Sequence, residues 1–189
     1  MVSKLLIVDL DYTLVRENTT YEFLKLASPR RYMIFSKILF PLYLVNKISE
    51  RDIYKRFLVF SCINQKRVEI LRNYAKAHFV FLLNNKSKHF NQSVLNLLEK
   101  NDAAVILMTA SLDIVAQPFI ELGFLKVIGS ETYYKNGKFH WFHDLYGNKH
   151  LKIKMLSQNF KQITVIEDSL EKKYGRLNGI TVIKFKQEK

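Results

Sequence analysis

The stretch Leu5-Leu6-Ile7-Val8-Asp9-Leu10-Asp11-Tyr12-Thr13 decides the fold. Its four consecutive apolar residues predict a buried parallel strand, which stops at two carboxylates separated by one residue. Carboxylates at the end of a hydrophobic strand are costly to bury unless a ligand or a chemical step uses them. In an open parallel α/β sheet, ligands bind at the carboxyl ends of the strands. Taken alone, the stretch is also compatible with an Asp-rich turn that has no function.

The composition is that of a globular protein with an excess of positive charge. The 189 residues include 30 Lys and Arg against 17 Asp and Glu, which gives a formal net charge of +13. This charge favours an anionic partner such as nucleic acid, anionic lipid or a small anionic substrate, with a solvated basic surface as the alternative. The basic residues are scattered without a run of five, so we expect no stable nucleic-acid partner.

The sequence predicts a cytoplasmic protein. Cys62 is the single cysteine, which excludes an internal disulfide and suits a reducing compartment. Lys4 interrupts the first residues, so we expect no signal peptide. The best candidate for a membrane span, residues 32–48, contains two lysines and a proline and is too short to span comfortably. The oligomeric state is left open.

Residues 16–85 predict an all-helical insertion. They contain no glycine, their apolar residues recur at three- and four-residue spacing, and Pro29 and Pro41 divide them into about four helices. They carry 13 Lys and Arg against 5 Asp and Glu, a net charge of +8. For the aromatic and basic residues from Arg30 to Tyr43 we favour packing within the insertion, with weak contact to a membrane surface as the alternative.

From residue 86 onward, helices and strands alternate. Besides a hairpin that turns at Asn136-Gly137, we predict helices over 90–99, 112–122 and 149–160 and strands over 103–108, 126–129, 163–166 and 181–185. Strands separated by helices imply a parallel sheet. The predicted fold is therefore α/β, a Rossmann-like doubly wound parallel sheet with an inserted all-helical cap. Residues 1–15 and 86–189 form the predicted core, and residues 16–85 form the cap.

Polar side chains follow three of the apolar strands. They are Asp9, Asp11 and Thr13, then Thr109 and Ser111, then Glu167 and Asp168. Because the carboxyl ends of parallel strands share one edge of a sheet, we expect a cluster of four acids with hydroxyl groups beside it. Four carboxylates do not sit together ionised without a cation, and Mg²⁺ is the natural partner. A lysine near the start of the 149–160 helix would complete a phosphate site.

These motifs resemble the haloacid dehalogenase superfamily of phosphohydrolases. More narrowly, the chain resembles the phosphoserine-phosphatase-like branch, which has a helical C1-type cap after the first strand. The matching segments run in the family's order and cover nearly the whole chain: Ile7 to Leu14, Val105 to Ser111, Pro118, Leu122-Gly123, Val127 to Glu131, and Val165 to Ser169. The resemblance implies a Mg²⁺-dependent phosphomonoester hydrolase.

The resemblance also implies a role for each matched residue. Asp9 would attack phosphorus and form an aspartyl-phosphate. Asp11 would act as the general acid and base, with its backbone carbonyl facing the metal. Thr109 and the amide of Ala110 would hold the phosphoryl oxygens. Asp168 would bind Mg²⁺ together with Asp9.

Three positions depart from the family pattern. Tyr12 stands where glycine or serine is usual, which makes the loop bulkier. Lys172 stands where the family often has a further Asp, so Glu167 is expected to share in binding the metal. Asn18 stands where phosphoserine phosphatases carry an acid that reads the substrate amine, which disfavours phosphoserine as the substrate.

Two lysines compete for the phosphate-binding position. Lys149 follows Gly147-Asn148, where the chain could still be a loop. Lys152 is followed by Ile153 and Leu156 at the spacing usual in the family, and we expect that phase to aim it at the strand ends. We therefore prefer Lys152, and an exposed basic residue is the alternative for each lysine.

The favoured function is hydrolysis of a phosphorylated small molecule or lipid head group. A phosphotransferase on the same scaffold and a non-catalytic protein that binds anions, nucleic acid or lipid through the basic cap are the alternatives. The presence of Asp9, Asp11 and Asp168 favours an enzyme. His140, His143 and Asp144 lack further ligands at suitable spacing for zinc, and we interpret the histidines as surface residues.

Overall fold

The computed structural model describes residues 4–46, 52–169, 174 and 179–185, and a six-stranded sheet lies at its centre. The strand order is β4-β3-β2-β1-β5-β6, and all neighbouring strands are parallel except the antiparallel pair β3 and β4. The strands are β1 (Lys4–Val8), β2 (Ala104–Leu112), β3 (Lys126–Lys135), β4 (Lys138–His143), β5 (Gln162–Glu167) and β6 (Ile180–Lys184). The predicted α/β fold class is confirmed.

The central strand β1 explains why the first apolar run is continuous. It pairs with β2 on one side and β5 on the other. The sheet continues from β2 through β3 to β4 on the first side, and from β5 to β6 on the second. Leu5 and Ile7 pack into a cluster on one face of the sheet, and Leu6 and Val8 pack into a second cluster on the other. Because both faces of this strand are buried, its residues do not alternate between apolar and polar. Asp9 follows at the crevice where such sheets bind ligands.

Helices fill most of the chain between β1 and β2, as predicted. Within the described part of residues 16–89 they are α1 (Thr19–Ala27), α2 (Pro29–Ile38), α3 (Phe40–Asn46), α4 (Ile53–Ile63), α5 (Val68–Asn84) and the short α6 (Lys86–His89). The described part of the predicted cap thus contains five helices rather than about four. Asn18 caps α1 by accepting a hydrogen bond from the Tyr21 amide at 3.1 Å, and Asp52 caps α4 in the same way. Pro29 opens α2 and Pro41 lies in the first turn of α3, so each proline starts a helix rather than interrupting one.

The helix α5 joins the insertion to the sheet. Its Leu71 and Ala75 belong to a buried cluster shared with α1 and α4, whereas its Phe79 and Leu82 belong to the cluster against β1. We retain residues 16–85 as the proposed cap, with α5 as the element that seats it on the core.

The two linkers between the sheet and the insertion lie side by side. The Arg16 amide donates to the His89 carbonyl at 2.8 Å, and the Asn91 amide donates to the Leu14 carbonyl at 3.0 Å. The Asn91 side chain also donates to the carbonyl of Thr13, whose own side chain is fully buried. The chain therefore enters and leaves the helical insertion at one point.

The second half of the chain differs from prediction at element boundaries. Among the described residues, three helices follow α6: α7 (Gln92–Lys100), α8 (Asp113–Ala116) and α9 (Lys149–Leu156), with a 3-10 helix over Gln117–Leu122. The helix predicted over 112–122 thus splits in two before Pro118, and β2 extends through Ser111 to Leu112. The predicted hairpin is confirmed, since Asn136 and Gly137 adopt φ values of 51° and 70° between β3 and β4.

Candidate active site

The carboxylate of Asp9 lies at the centre of the candidate site. Its residue is 8% exposed, and its backbone amide donates to the Ile166 carbonyl of β5 at 2.9 Å. Oδ1 accepts hydrogen bonds from the Leu10 amide at 2.8 Å and from Lys149 Nζ at 2.9 Å. The turn that follows is closed by two backbone bonds, from the Leu14 amide to the Asp9 carbonyl and from the Val15 amide to the Leu10 carbonyl. Asp9 is thus held at the end of β1 by backbone on both sides.

Tyr12 sits in this turn with a strained backbone. Its φ of 59° lies in the left-handed region, which favours glycine and is uncommon for a bulky residue. The pKa of its phenol is raised, first by burial and then by the charges of Asp11 and Asp168, with a smaller effect of Tyr43. The tyrosine that departs from the family pattern directly follows Asp11, and it is 41% exposed. Strain of this kind is concentrated at functional sites.

Asp11 is held by the helical insertion and by β2 together. Its Oδ1 accepts from the Thr19 amide at 2.9 Å and from the Thr19 hydroxyl at 2.7 Å, while Oδ2 accepts from the Ser111 hydroxyl at 2.6 Å. Burial raises the pKa of Asp11 to about 6; the hydrogen bond from Ser111 opposes this shift, and repulsion from Asp9 adds to it. A carboxyl group with a pKa near neutrality can both give and take a proton.

The predicted phosphate-binding residues lie in an irregular stretch of β2. The register between β2 and β3 shifts between Met108 and Leu112, so Thr109 and Ala110 fall outside the regular ladder. The fully buried Thr109 accepts a hydrogen bond from the Ser111 amide at 3.0 Å. Gly129 of β3 permits the close approach of this segment, because a Cβ there would meet the Ser111 carbonyl oxygen at 2.9 Å and the backbone of Asp113 at 2.8 Å.

Lys149, and not Lys152, lies against Asp9. The Lys149 ammonium is 2.9 Å from Asp9 and 3.6 Å from Glu167, and its side chain is 9% exposed. Lys152 is 3.8 Å from Glu131, and both of those side chains are substantially exposed. The expectation that helical phase aims Lys152 at the strand ends is therefore wrong. Ile153 is fully buried, and the residue that shares its face of α9 lies four positions earlier, at Lys149.

The two acids at the carboxyl end of β5, Glu167 and Asp168, have different surroundings. The buried Glu167 has its Oε2 3.1 Å from the Tyr174 hydroxyl, which donates to it, and 3.6 Å from Lys149. The pKa of Asp168 is raised, first by burial and then by the charge of Asp9. Residue 172 lies outside the described residues. Of the four acids that the sequence predicts to converge, Asp11 is engaged by hydroxyl groups, Glu167 by a hydroxyl and an ammonium group, and Asp9 by the same ammonium.

The donor set fits a single hard cation held by few side chains. Among the described residues, no group of three or more His, Cys, Asp or Glu side chains is arranged to hold a metal ion. The ligand set implied by the resemblance needs only the carboxylates of Asp9 and Asp168 and the backbone carbonyl of Asp11. The charge of Asp9 raises the pKa of Asp168, and a bound divalent cation would relieve this repulsion. The residues present are therefore compatible with Mg²⁺.

Sequence reasoning missed a buried ion pair beside Ala110. Lys55 of α4 is 4% exposed and donates to Asp144 at 2.6 Å and to the Ala110 carbonyl at 3.0 Å. The Ser130 hydroxyl donates to the same carbonyl at 2.7 Å. His140 and His143 are exposed, as predicted, but Asp144 is 1% exposed. No local signal pairs a lysine in helical sequence with an acid 89 positions later.

The chain belongs to the haloacid dehalogenase-like hydrolase family, whose pattern its sequence matches over residues 6–157. The predicted superfamily is confirmed. No curated protein sequence matches the chain significantly.

Solved structures share the fold at low sequence identity. A protein of unknown function from Bordetella pertussis Tohama I superposes with a TM-score of 0.66 at 15% identity, over 97% of this chain and 99% of its own. A phosphoserine phosphatase captured as an analogue of its phospho-aspartyl intermediate gives 0.55 at 16% identity, over 89% and 79%. Cytosolic 5'-nucleotidase IIIB bound to cytidine gives 0.60 at 11% identity, over 96% and 72%.

Replacing Lys55 by alanine should destabilise the protein strongly. The change leaves Asp144 buried beside Arg56, whose Nε lies 3.7 Å from its Oδ2, without its closest partner. Breaking a buried pair in this way costs about 3–5 kcal/mol, which corresponds to a fall in Tm of roughly 6–20 °C. The matched control is Lys25→Ala, which breaks an exposed pair with Glu22 and should cost less than about 1 kcal/mol. Equal Tm values for the two variants would contradict the assignment.

Proposed function

We propose that the protein is a Mg²⁺-dependent phosphomonoester hydrolase that acts through an aspartyl-phosphate on Asp9. The observation that carries this proposal is the contact of 2.9 Å between Lys149 and the buried Asp9 carboxylate at the carboxyl edge of the sheet. A carboxylate with a fixed cation beside it is placed to attack a phosphoryl group while the cation offsets the added negative charge.

In this proposal Asp9 is the nucleophile and Asp11 moves the proton. Asp9 attacks phosphorus, the ester oxygen leaves, and Asp11 donates a proton to it. The ionised Asp11 then takes a proton from the water that attacks the aspartyl-phosphate, and inorganic phosphate is released. The bonds from Thr19 and Ser111 fix both oxygens of the Asp11 carboxylate and stabilise its charged form.

The phosphoryl oxygens would be held by Thr109, the Ala110 amide and Lys149. Lys149 lies near Glu167 as well as Asp9, so its ammonium is fixed between two carboxylates. Lys55 and Ser130 hold the Ala110 carbonyl, which fixes the backbone immediately after the Ala110 amide. A fixed donor does not need to reorganise as charge develops in the transition state.

The metal would be held by the carboxylates of Asp9 and Asp168 and by the Asp11 backbone carbonyl. When bound, Mg²⁺ supplies positive charge that lowers the barrier to attack on a dianionic phosphate. Glu167 is omitted from this proposed ligand set, because the hydroxyl of Tyr174 and the ammonium of Lys149 already engage its carboxylate.

We infer a small phosphorylated substrate other than phosphoserine. Solved relatives of the fold include a phosphoserine phosphatase and a 5'-nucleotidase. However, the Asn18 side chain caps α1, and Glu17 lies 3.4 Å from His78 and 3.2 Å from His89, so neither side chain is directed to a substrate amine. The cytoplasmic location stays a prediction.

Cys62 is a poor candidate for the nucleophile, because burial raises the pKa of its thiol to about 11.

Asp9→Asn should abolish phosphate release. Asparagine keeps the shape of the side chain but removes the nucleophilic oxygen, so we expect a loss of at least about three orders of magnitude in kcat for p-nitrophenyl phosphate. Asp102→Asn is the matched control, because Asp102 is exposed and precedes β2 at the opposite edge of the sheet. Retained turnover in a folded Asp9→Asn variant would show that Asp9 is not the nucleophile.

Product analysis with added acceptor alcohols separates hydrolysis from phosphotransfer.

Lys149→Ala should lower kcat/KM by about two orders of magnitude or more. Its loss leaves Asp9 facing the phosphoryl charge alone, an effect on the scale of losing one transition-state donor. Lys152→Ala should change kcat/KM less than about threefold, because that residue is a surface lysine paired with Glu131. The reverse ranking would place the phosphate-binding lysine at 152 and contradict the geometry of α9.

Removing divalent metal with EDTA should stop turnover, and Mg²⁺ should restore it. Binding should also be visible without any reaction, because a ligand that binds only the folded state raises the Tm. We therefore expect Mg²⁺ to raise the Tm of the wild type and to leave that of Asp168→Asn unchanged. Full activity after exhaustive chelation, or equal Tm shifts in the two proteins, would count against the proposed metal site.

A further inference from the structure

The helices α2 and α3 belong to the insertion, and none of their residues is completely buried. Their inner sides carry Tyr32, Phe35, Leu39 and Leu42, which are partly buried against the cluster shared by α1 and α4. Packing within the insertion, the favoured interpretation of this segment, therefore accounts for one side of the two helices. It does not account for the other.

The outer side of the two helices is apolar and exposed. We call it the α2–α3 surface; its residues are Met33, Ile34, Ile38, Phe40, Leu44 and Val45, and each is between 45% and 63% exposed. Single exposed apolar side chains are normal, but six within thirteen residues form a patch of the kind that marks an interaction site. Exposure of these apolar side chains to water is unfavourable, so we expect a partner to cover them.

The charges around the α2–α3 surface indicate which partner. Residues 29–46 contain the exposed basic residues Arg30, Arg31 and Lys37 and no acidic residue. On α2, Met33 and Ile34 lie one turn from Arg30, and Ile38 adjoins Lys37, so basic and apolar groups share the outer side. A second copy of this surface would bring like charges together. An anionic lipid headgroup layer complements both the charge and the apolar side chains.

The dimensions of the helices fit a position along a bilayer rather than across it. The helix α2 has ten residues and α3 has seven, and among the described residues no helix is long and apolar enough to cross a membrane. Short helices with apolar and basic groups on one side lie in the headgroup region with the apolar side chains inserted.

The α2–α3 surface also adjoins the candidate active site. Phe40 stacks on Tyr43 with ring centroids 6.0 Å apart, and Tyr43 meets Tyr54 edge to face at 5.7 Å. Tyr54 in turn meets Tyr21 of α1 edge to face at 6.0 Å, and Thr19 at the start of α1 donates to Asp11. A bilayer seated on α3 would therefore lie near the helix that holds Asp11.

We propose that the α2–α3 surface docks the protein on anionic lipid membranes. The apolar side chains insert into the headgroup region, and the three basic residues contact the lipid phosphates. This docking is independent of the catalytic mechanism proposed above, so a failure of either proposal leaves the other standing.

The proposal is tested by flotation of the purified protein with vesicles of phosphatidylcholine alone or with 30% phosphatidylglycerol. We expect the wild type to float with the anionic vesicles at low salt and much less with the neutral ones. The double variant Ile38→Glu/Leu44→Glu should bind at least tenfold less. The triple variant Arg30→Gln/Arg31→Gln/Lys37→Gln should lose about a hundredfold.

The control variant is Leu125→Glu, since Leu125 is 67% exposed but lies next to β3, outside the insertion. It should float like the wild type, and circular dichroism melts confirm that each variant is folded. Binding that is equal in the control and in the double variant would overturn the proposal. A wild type that stays off vesicles and forms a dimer, which Ile38→Glu/Leu44→Glu converts to a monomer, would also overturn it and assign the surface to a second copy.

Discussion

The site depends on holding the charge of Asp9 at the buried end of the central strand. A carboxylate taken out of water needs a partner, and Lys149 provides one at 2.9 Å while remaining 3.6 Å from Glu167. The three side chains come from β1, α9 and the end of β5. The ammonium lies between the two carboxylates only when the sheet has formed and α9 has packed on it. The geometry of the site is therefore a consequence of the completed fold rather than of any local segment.

The helical insertion contributes to this edge of the sheet directly. Thr19, at the start of α1, donates twice to Asp11, and the Thr20 hydroxyl donates to Ser111 at 2.9 Å. Lys55 reaches from α4 to the Ala110 carbonyl and to Asp144. Both stretches of the sheet edge that carry proposed catalytic or phosphate-binding residues are thus fixed by side chains of the insertion. The insertion is therefore a structural component of the site.

The sequence predicted the elements and the edge of the sheet because those signals are local. An apolar run that ends in acids, an Asn-Gly turn and a glycine-free helical region each depend on neighbouring residues, and the structure has all three. What it could not predict depends on contacts distant in sequence. The ion pair between Lys55 and Asp144 joins α4 to the loop after β4. The ammonium of Lys149 likewise reaches Glu167 from α9, which is one reason why that acid is left out of the proposed metal ligands. The preference for Lys152 failed for a different reason. The residue on the buried side of α9 is set by its first turn, which the sequence left open as helix or loop.

The paired linkers bear on how a protein of this shape can change over evolutionary time. The chain leaves the sheet and returns to it through hydrogen bonds that join Arg16 to His89 and Leu14 to Asn91. The segment between these two pairs of residues is a loop whose ends are already held together by the core. Because closure entropy grows only with the logarithm of length, doubling such a loop costs about 0.6 kcal/mol. Residues 17–88 can therefore be lengthened at little cost in closure entropy, so recognition can diversify while Thr19, Thr20 and Lys55 continue to hold the edge of the sheet.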